Sequence, residues 1–382
     1  MKKTVSLLMA FVMAVCLFSG CEAEKGGSDG GTETQVGSTE AGAGVITDML
    51  GRRVDLPEKI NRVVCIGAGA LRLYTYVGEL DLLCGVEECE KGFLISARPY
   101  RELNEERFLS LPSIGAGGPQ GSPDAEAIIA VKPDIIFSLY TADSSAMDEL
   151  SAKTGVPVVV LSYGKTEAFD EQIMQSLELM GTVLGRTERA QAVIEYINGI
   201  KSDLDGRTRD IADADKPTVY LGCHSKYGTH GIGSSAAGYS LFDAVHAKNV
   251  LDINGFEGYQ GTIDLETLVT LSPDVIILDA GGLATFREEY AGKKDVFMSL
   301  TAFKTDNVYV QMPYNAYYTN IEIALADAYY CGKVLYPEQF ADVEIEKKFD
   351  EISTFLLGGA AYEEVKNTVG GGYRRLGAEE LS

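Results

Sequence analysis

The sequence predicts an α/β protein made of two doubly wound α/β lobes joined by a long backbone helix. Three observations lead there. Short apolar runs alternate with helical stretches along most of the 382 residues. One unit of that alternation recurs without a gap 140 residues further on. Between the two copies lies a single long stretch with helical spacing and no strand pattern.

The first twenty residues stand apart from the fold. Lys2 and Lys3 precede an apolar run over 7–18, and Leu17-Phe18-Ser19-Gly20-Cys21 follows. This is the pattern of a secretory signal, too short to span a membrane comfortably. Its end resembles a bacterial lipobox, in which the cysteine after the small pair is lipidated and becomes the mature N-terminus. That cysteine is Cys21, and Phe18 stands where Leu is usual. Residues 21–44 are rich in Gly, Ser, Thr and Glu and lack aromatics, so they read as a flexible tether.

The first lobe is expected over 45–186. Its strands are 62–66 (RVVCI), 82–86 (LLCGV), 134–139 (DIIFSL) and 156–161 (VPVVVL), with helices over 71–80 and 124–131. The backbone helix takes 187–212: Ala190, Val193, Ile194, Ile197, Ile200 and Leu204 share one face, with Thr187 as its N-cap. A helix of that length runs about 35–40 Å, enough to bridge two lobes. The second lobe is expected over 213–382, with strands at 218–221, 274–278 and 307–310 and a helix over 264–271. Residues 358–382, interrupted by glycines, receive no assignment.

Composition narrows the function. The chain is 46% hydrophobic and 23% charged, enough to bury a sizeable core, and its net charge is −23. So acidic a surface repels phosphate backbones and argues against a nucleic-acid partner. Three histidines, His224, His230 and His246, restrict histidine-based metal or acid/base chemistry. Once Cys16 and Cys21 are set aside, five cysteines remain, with no CxxC. An odd count inside apolar runs reads as core residues rather than a disulfide framework or zinc site, Cys84 and Cys89 being the only close pair. Gly67-Ala68-Gly69 follows a strand but lacks the third glycine of a dinucleotide cradle. Gly233-Ser234-Ser235 is not a nucleophile elbow. No catalytic set, resident cofactor or metal site is expected.

The repeat carries the sharper signal. Asp124-Ala-Glu126 through Lys132-Pro133-Asp134-Ile-Ile136 aligns with Asp264-Leu-Glu266 through Ser272-Pro273-Asp274-Val-Ile276. In each copy an acidic residue opens a helix, proline ends it, and Asp leads into a buried strand. Glu126 and Glu266 suit a helix N-terminus as capping charges. As an equivalent pair on two lobes they also suit a partner that is itself two-fold.

Taken together, these motifs resemble the substrate-binding lipoproteins of ABC importers for iron complexes, haem and cobalamin, the class III periplasmic binding proteins with a helical interlobe backbone. The opening Val45-Ile-Thr47-Asp48-Met-Leu-Gly51-Arg52-Arg-Val54-Asp-Leu-Pro57 resembles that family's first hairpin, and Arg62-Val63-Val64 its first core strand. The resemblance covers about residues 45–357. It implies an extracytoplasmic, lipid-anchored, non-enzymatic monomer working with an ABC permease dimer and its ATPase. It further implies that Glu126 and Glu266 dock on permease arginines, and that the cargo is a ferric-siderophore-like chelate, haem or a corrinoid.

Open α/β sheets bind ligands at the carboxyl ends of their strands. That rule places the cleft at Arg72, Tyr140 and Tyr163 in the first lobe, and at Lys226, Tyr227, Tyr314, Asn315, Tyr317 and Tyr318 in the second. The stretch 312–320 (MPYNAYYTN) has the most unusual composition in the chain, with three tyrosines and two asparagines. Tyrosine's flat apolar face and polar tip suit a bulky planar or chelated ligand. The alternatives are a receptor for bare zinc or manganese, an extracellular cleft enzyme and a signalling lipoprotein.

Overall fold

A computed structural model of the chain describes residues 44–92, 97–140, 143–165 and 167–381. The signal segment, Cys21 and the tether up to residue 43 lie outside the described residues. Among the described residues no helix is long and apolar enough to cross a membrane.

The chain opens with an antiparallel hairpin, Gly44–Thr47 against Arg53–Leu56. Asp48 in its turn accepts from the backbone N–H of Leu50 and Arg52, both at 3.0 Å, and from Val160 N–H at 3.1 Å. Arg52 donates to the same carboxylate at 2.7 Å and to the Val158 carbonyl. One ion pair therefore ties the hairpin to the edge of the first lobe's sheet.

That sheet has three parallel strands, with Ile135–Ser138 between Val63–Ile66 and Val158–Val160. All are buried on both faces, which is why each reads as an unbroken apolar run. The strand expected over 82–86 does not form a ladder. Leu80–Leu82 is a 3-10 turn, and single parallel bridges join Leu83 to Val63 and Val86 to Ser113. The chain changes neighbour between them: Cys84 N–H donates to the Val63 carbonyl and Val86 N–H to the Pro112 carbonyl. Neither pairing can lengthen.

The lobes are joined by a helical hairpin, Glu171–Leu184 and Thr187–Thr208, closed by Gly185 in the left-handed region. Gly181 lets the two helices approach, since a Cβ there would strike the Ala190 methyl. The second helix buries Ala190, Val193, Ile197, Ile200 and Leu204, while Ile194 packs half-buried at the edge. Two expectations need correction. Arg186, not Thr187, is the N-cap, and no side chain caps that end. The helix stops at Thr208 rather than 212, before a 3-10 turn at Asp213–Asp215.

The second lobe's sheet has five strands in the order Arg374–Arg375, Val308–Gln311, Val275–Asp279, Thr218–Gly222, Lys248–Asn249. All pairings are parallel except the first. The unassigned tail thus supplies an antiparallel edge strand, together with the helix Tyr362–Thr368.

The repeat has the same construction in both lobes. Asp124 caps Ala125–Val131, accepting from Glu126 N–H at 3.1 Å and Ala127 N–H at 3.0 Å. Asp264 caps Leu265–Leu271, accepting from Thr267 N–H at 2.7 Å. Each helix ends in a residue of positive φ, Lys132 at 47° and Ser272 at 43°. The aspartate after each proline then braces the start of its lobe's first strand. Asp134 accepts from Arg62 N–H at 2.9 Å, and Asp274 from Thr218 N–H at 2.9 Å. A single apolar cluster runs through both lobes and the helical hairpin, and includes the almost wholly buried helix Ile321–Leu335.

Candidate functional site

A cavity of about 850 Å³ lies at the carboxyl ends of the second lobe's strands. Residues 225–229 follow the strand Thr218–Gly222, residues 280–284 follow Val275–Asp279, and residues 313–318 follow Val308–Gln311. Pro119 and Gln120 close it from the first lobe, and Thr368, Val369 and Gly370 from the tail.

Asp279 fixes two of those loops. Its fully buried carboxylate accepts from Ser225 N–H at 3.0 Å, Ser225 Oγ–H at 2.6 Å and Gly281 N–H at 2.8 Å. Burial pushes its pKa up to about 6, against the pull of those donors. Lys226 and Tyr227 follow directly in the pinned loop. Among the described residues the ionic groups in the lining are Lys226 and Arg287, both cations, and no carboxylate lines the cavity. Arg287 lies 3.7 Å from Glu380, and Lys226 sits 5.8 Å from the Tyr227 ring centroid. The wall is locally positive within a chain of net charge −23. Tyr227 and Tyr318 at its wall are 70% and 38% exposed.

Of the nine cleft residues expected from the sequence, the cavity gathers Lys226, Tyr227, Asn315, Tyr317 and Tyr318. The other four are placed otherwise. Arg72 is wholly buried and makes four side-chain hydrogen bonds. It donates to Asn320 Oδ1 at 3.0 Å, to the Tyr317 carbonyl at 2.7 Å, to the Ala316 carbonyl at 2.5 Å and to Tyr163 Oη at 3.2 Å. It straps the two lobes together and does not line the cavity. The segment it holds carries Tyr317 and Tyr318 at φ of 53° and 66°, a strained conformation for bulky residues. Tyr163 is buried beneath that segment, its ring 5.2 Å from that of Tyr318. Gly69, at φ 85°, makes room for both: a Cβ there would lie 2.8 Å from the Tyr163 ring and 3.3 Å from the Tyr317 carbonyl. Tyr140 donates to Glu87 Oε1 at 2.9 Å and does not line the cavity. Tyr314 is buried and lines a smaller compartment of about 90 Å³ beside the main one.

The sequence reading missed a buried polar group at the interlobe seam. Arg98 pairs with Glu90 at 2.9 Å, and its guanidinium lies 4.9 Å from the Tyr317 ring centroid. Tyr100 donates to Glu90 at 2.6 Å while the Arg72 guanidinium sits over the Tyr100 ring. Tyr76 donates to Glu322. Glu87 accepts from Gly67 N–H at 2.9 Å as well as from Tyr140, and burial raises its pKa to about 7. Tyr76 and Glu322 are 246 positions apart, and Glu90 meets Arg98 and Tyr100 8 and 10 positions on with no motif to mark the pairing.

His224 is buried among the rings of Tyr239, Tyr259 and Tyr314. Burial pushes its pKa down to about 3, so it is neutral at physiological pH. Its Nδ1 has no hydrogen-bond partner and lies 4.0 Å from Asp279. Among the described residues no three His, Cys, Asp or Glu side chains are grouped as a metal site. Cys84 and Cys89 are both free, as are Cys65, Cys223 and Cys331. Glu126 and Glu266, one per lobe, are exposed and make no ion pair among the described residues.

Comparison with known proteins agrees with this architecture. The chain is 23% identical over 334 residues to the molybdate-binding protein MolA of Haemophilus influenzae, covering 80% of this chain and 89% of that protein. Among solved structures, a periplasmic solute binding protein from Veillonella parvula superposes with a TM-score of 0.64 at 18% identity, over 85% of this chain and 96% of that one. The TroA-like periplasmic binding protein FepB from Veillonella parvula gives 0.62 at 20% identity, over 83% and 97%. A family model described as periplasmic binding protein matches residues 96–314. Two α/β lobes on a helical support, a cleft at strand ends and a match over more than half its length agree: the chain belongs to the periplasmic binding protein family.

Proposed function

We propose that the chain is the receptor of an ABC importer, anchored outside the cytoplasmic membrane by acyl chains on Cys21, that captures an anionic metal chelate and hands it to the permease. The cargo class is a ferric-siderophore-like complex, haem or a corrinoid. One observation carries this reading. The cavity is about 850 Å³, its ionic groups are the cations Lys226 and Arg287, and Tyr227 and Tyr318 present exposed faces at its wall. That volume suits a whole organic ligand, since small-molecule sites span roughly 300–1,000 Å³. Binding needs no covalent step. Glu126 and Glu266 serve as the docking pair for the permease.

A second reading, a bare oxyanion such as molybdate, draws on the likeness to MolA and on the same two cations. The cavity is far larger than a four-oxygen anion, which favours the chelate. Calorimetric titration with a panel of ferric siderophores, haem, cobalamin, molybdate, zinc and manganese separates the readings. Saturable one-to-one binding of a chelate, followed by absorbance of the coloured complex, is expected. Binding of molybdate or of a bare divalent metal, with no chelate bound, would overturn the proposal.

A further inference from the structure

The small compartment beside the main cavity has a chemistry of its own. It measures about 90 Å³ and shares Lys226 and Asn315 with its larger neighbour. Its floor is His224 and Tyr314, both buried. Two of its polar atoms, His224 Nδ1 and Asn315 Nδ2, are buried without a well-formed hydrogen bond among the described residues, Asn315 reaching only toward the Tyr314 hydroxyl. Orphaned buried polar atoms are uncommon in folded proteins, and two in one small space point to a group that completes them. The donors available are an ammonium, an amide NH₂ and one imidazole N–H. His224 is neutral, and no hydrogen bond among the described residues fixes its tautomer, so its N–H can follow an acceptor.

We propose that this compartment receives a carboxylate-sized anionic arm of the ligand, bound by Lys226, Asn315 and His224, while the large cavity holds the ligand's apolar body. The inference rests on the chelate reading above and deepens it: the cargo carries at least one free acidic arm at its periphery. The opposing charges are Glu167, half-buried and contributed by the other lobe, and the buried Asp279 carboxylate 4.0 Å from His224 Nδ1. Glu167 gives the proposal a sign that can be tested, because removing it must help an anion and hinder a cation.

The chain has three histidines, so protein labelled with ¹⁵N-histidine gives three imidazole signals, one of them from the buried His224. Sodium acetate is the probe and methylammonium chloride its cationic counterpart, at matched ionic strength. Acetate is expected to shift the His224 signal saturably and methylammonium to leave it unmoved. Lys226→Met, at a partly exposed position, should weaken acetate binding about tenfold, the size of a lost charge-assisted contact. Asn315→Ala should weaken it and Glu167→Gln should tighten it. A saturable response to methylammonium, or none to acetate, overturns the proposal, as does weaker acetate binding in Glu167→Gln. The chelate panel run in parallel separates this from the parent reading. A chelate that binds while acetate neither shifts His224 nor competes sinks the compartment alone. Acetate binding with no chelate bound sinks the chelate reading and leaves the anion site standing.

Discussion

Arg72 donates to four acceptors contributed by both lobes while it is fully buried. Three of those acceptors belong to the segment that presents Tyr317 and Tyr318 at positive φ. Removing the guanidinium leaves buried carbonyls unpaired and releases a strained loop, so its effect must reach the cavity it does not line. Arg72→Met is expected to lower stability by about 3 kcal/mol and to weaken chelate binding at least about tenfold. Arg72→Lys should not restore binding, because a single ammonium cannot serve that fan of acceptors. Urea unfolding and calorimetry check the two effects. Wild-type affinity in Arg72→Met would show that the loop holds its shape without the strap. Glu87 gives a second test at this scale. Its carboxyl titrates near 7 in the fold against an ordinary 4.5, so the folded state binds the proton more tightly. Its contribution is complete below pH 4.5 and is lost as pH rises through 7. Glu87→Gln stays neutral throughout, so its melting temperature should gain on wild type between pH 5 and 8. A difference that stays constant over that range would show that Glu87 titrates as an ordinary carboxyl.

Elements held by short-range chemistry were legible in the sequence, and those held by distant partners were not. The repeat could be read because Asp124 and Asp264 cap their own helices, and Asp134 and Asp274 brace strand starts at a fixed spacing after proline. The stretch 312–320 could be read because its composition is unusual, and the cavity gathers Asn315, Tyr317 and Tyr318 from it. Arg72 looked like a ligand contact because its partners Ala316 and Tyr317 lie 244 and 245 positions away. Residues 82–86 looked like a strand because periodicity cannot show that the chain leaves Val63 for Pro112 midway. Nothing local in Asp279-Ala-Gly-Gly shows that its carboxylate pins two loops at the cavity. The opening hairpin carries a prediction of its own. Asp48 and Arg52 have buried side chains, and Asp48 reaches across to Val160 N–H. Asp48→Ala would leave Arg52 with only the exposed Asp148 as its ionic partner and free the sheet edge, costing about 2 kcal/mol. Denaturant midpoints measure that cost, and a loss below about 1 kcal/mol would mean the hairpin is held by its apolar contacts instead.

At the scale of the whole molecule, each lobe keeps an apolar cluster of its own, and a third cluster is shared between them. One apolar cluster runs from the first lobe's strands through the helical hairpin and the helix Ile321–Leu335 into the second lobe. The buried pairs Tyr76–Glu322 and Arg72–Asn320 cross the same seam. Wide opening would expose that cluster and unpair those groups together, so cargo must be taken up with little movement of one lobe against the other. X-ray scattering should show the radius of gyration changing by less than about 1 Å on saturation with chelate. A receptor that barely changes shape must be recognised by the permease through fixed surface features. Glu126 and Glu266 fit that need: each stands two residues after the aspartate cap of an equivalent helix, one on each lobe, exposed and unpaired among the described residues. Neither lines the cavity, so under the proposed docking role, docking and binding should separate. Reversing both, Glu126→Lys with Glu266→Lys, is expected to abolish chelate uptake by cells while calorimetric affinity stays within about twofold of wild type. Either single reversal should leave part of the transport, since one lobe still engages. Uptake that survives the double reversal would remove the docking role and leave the two glutamates as capping charges only.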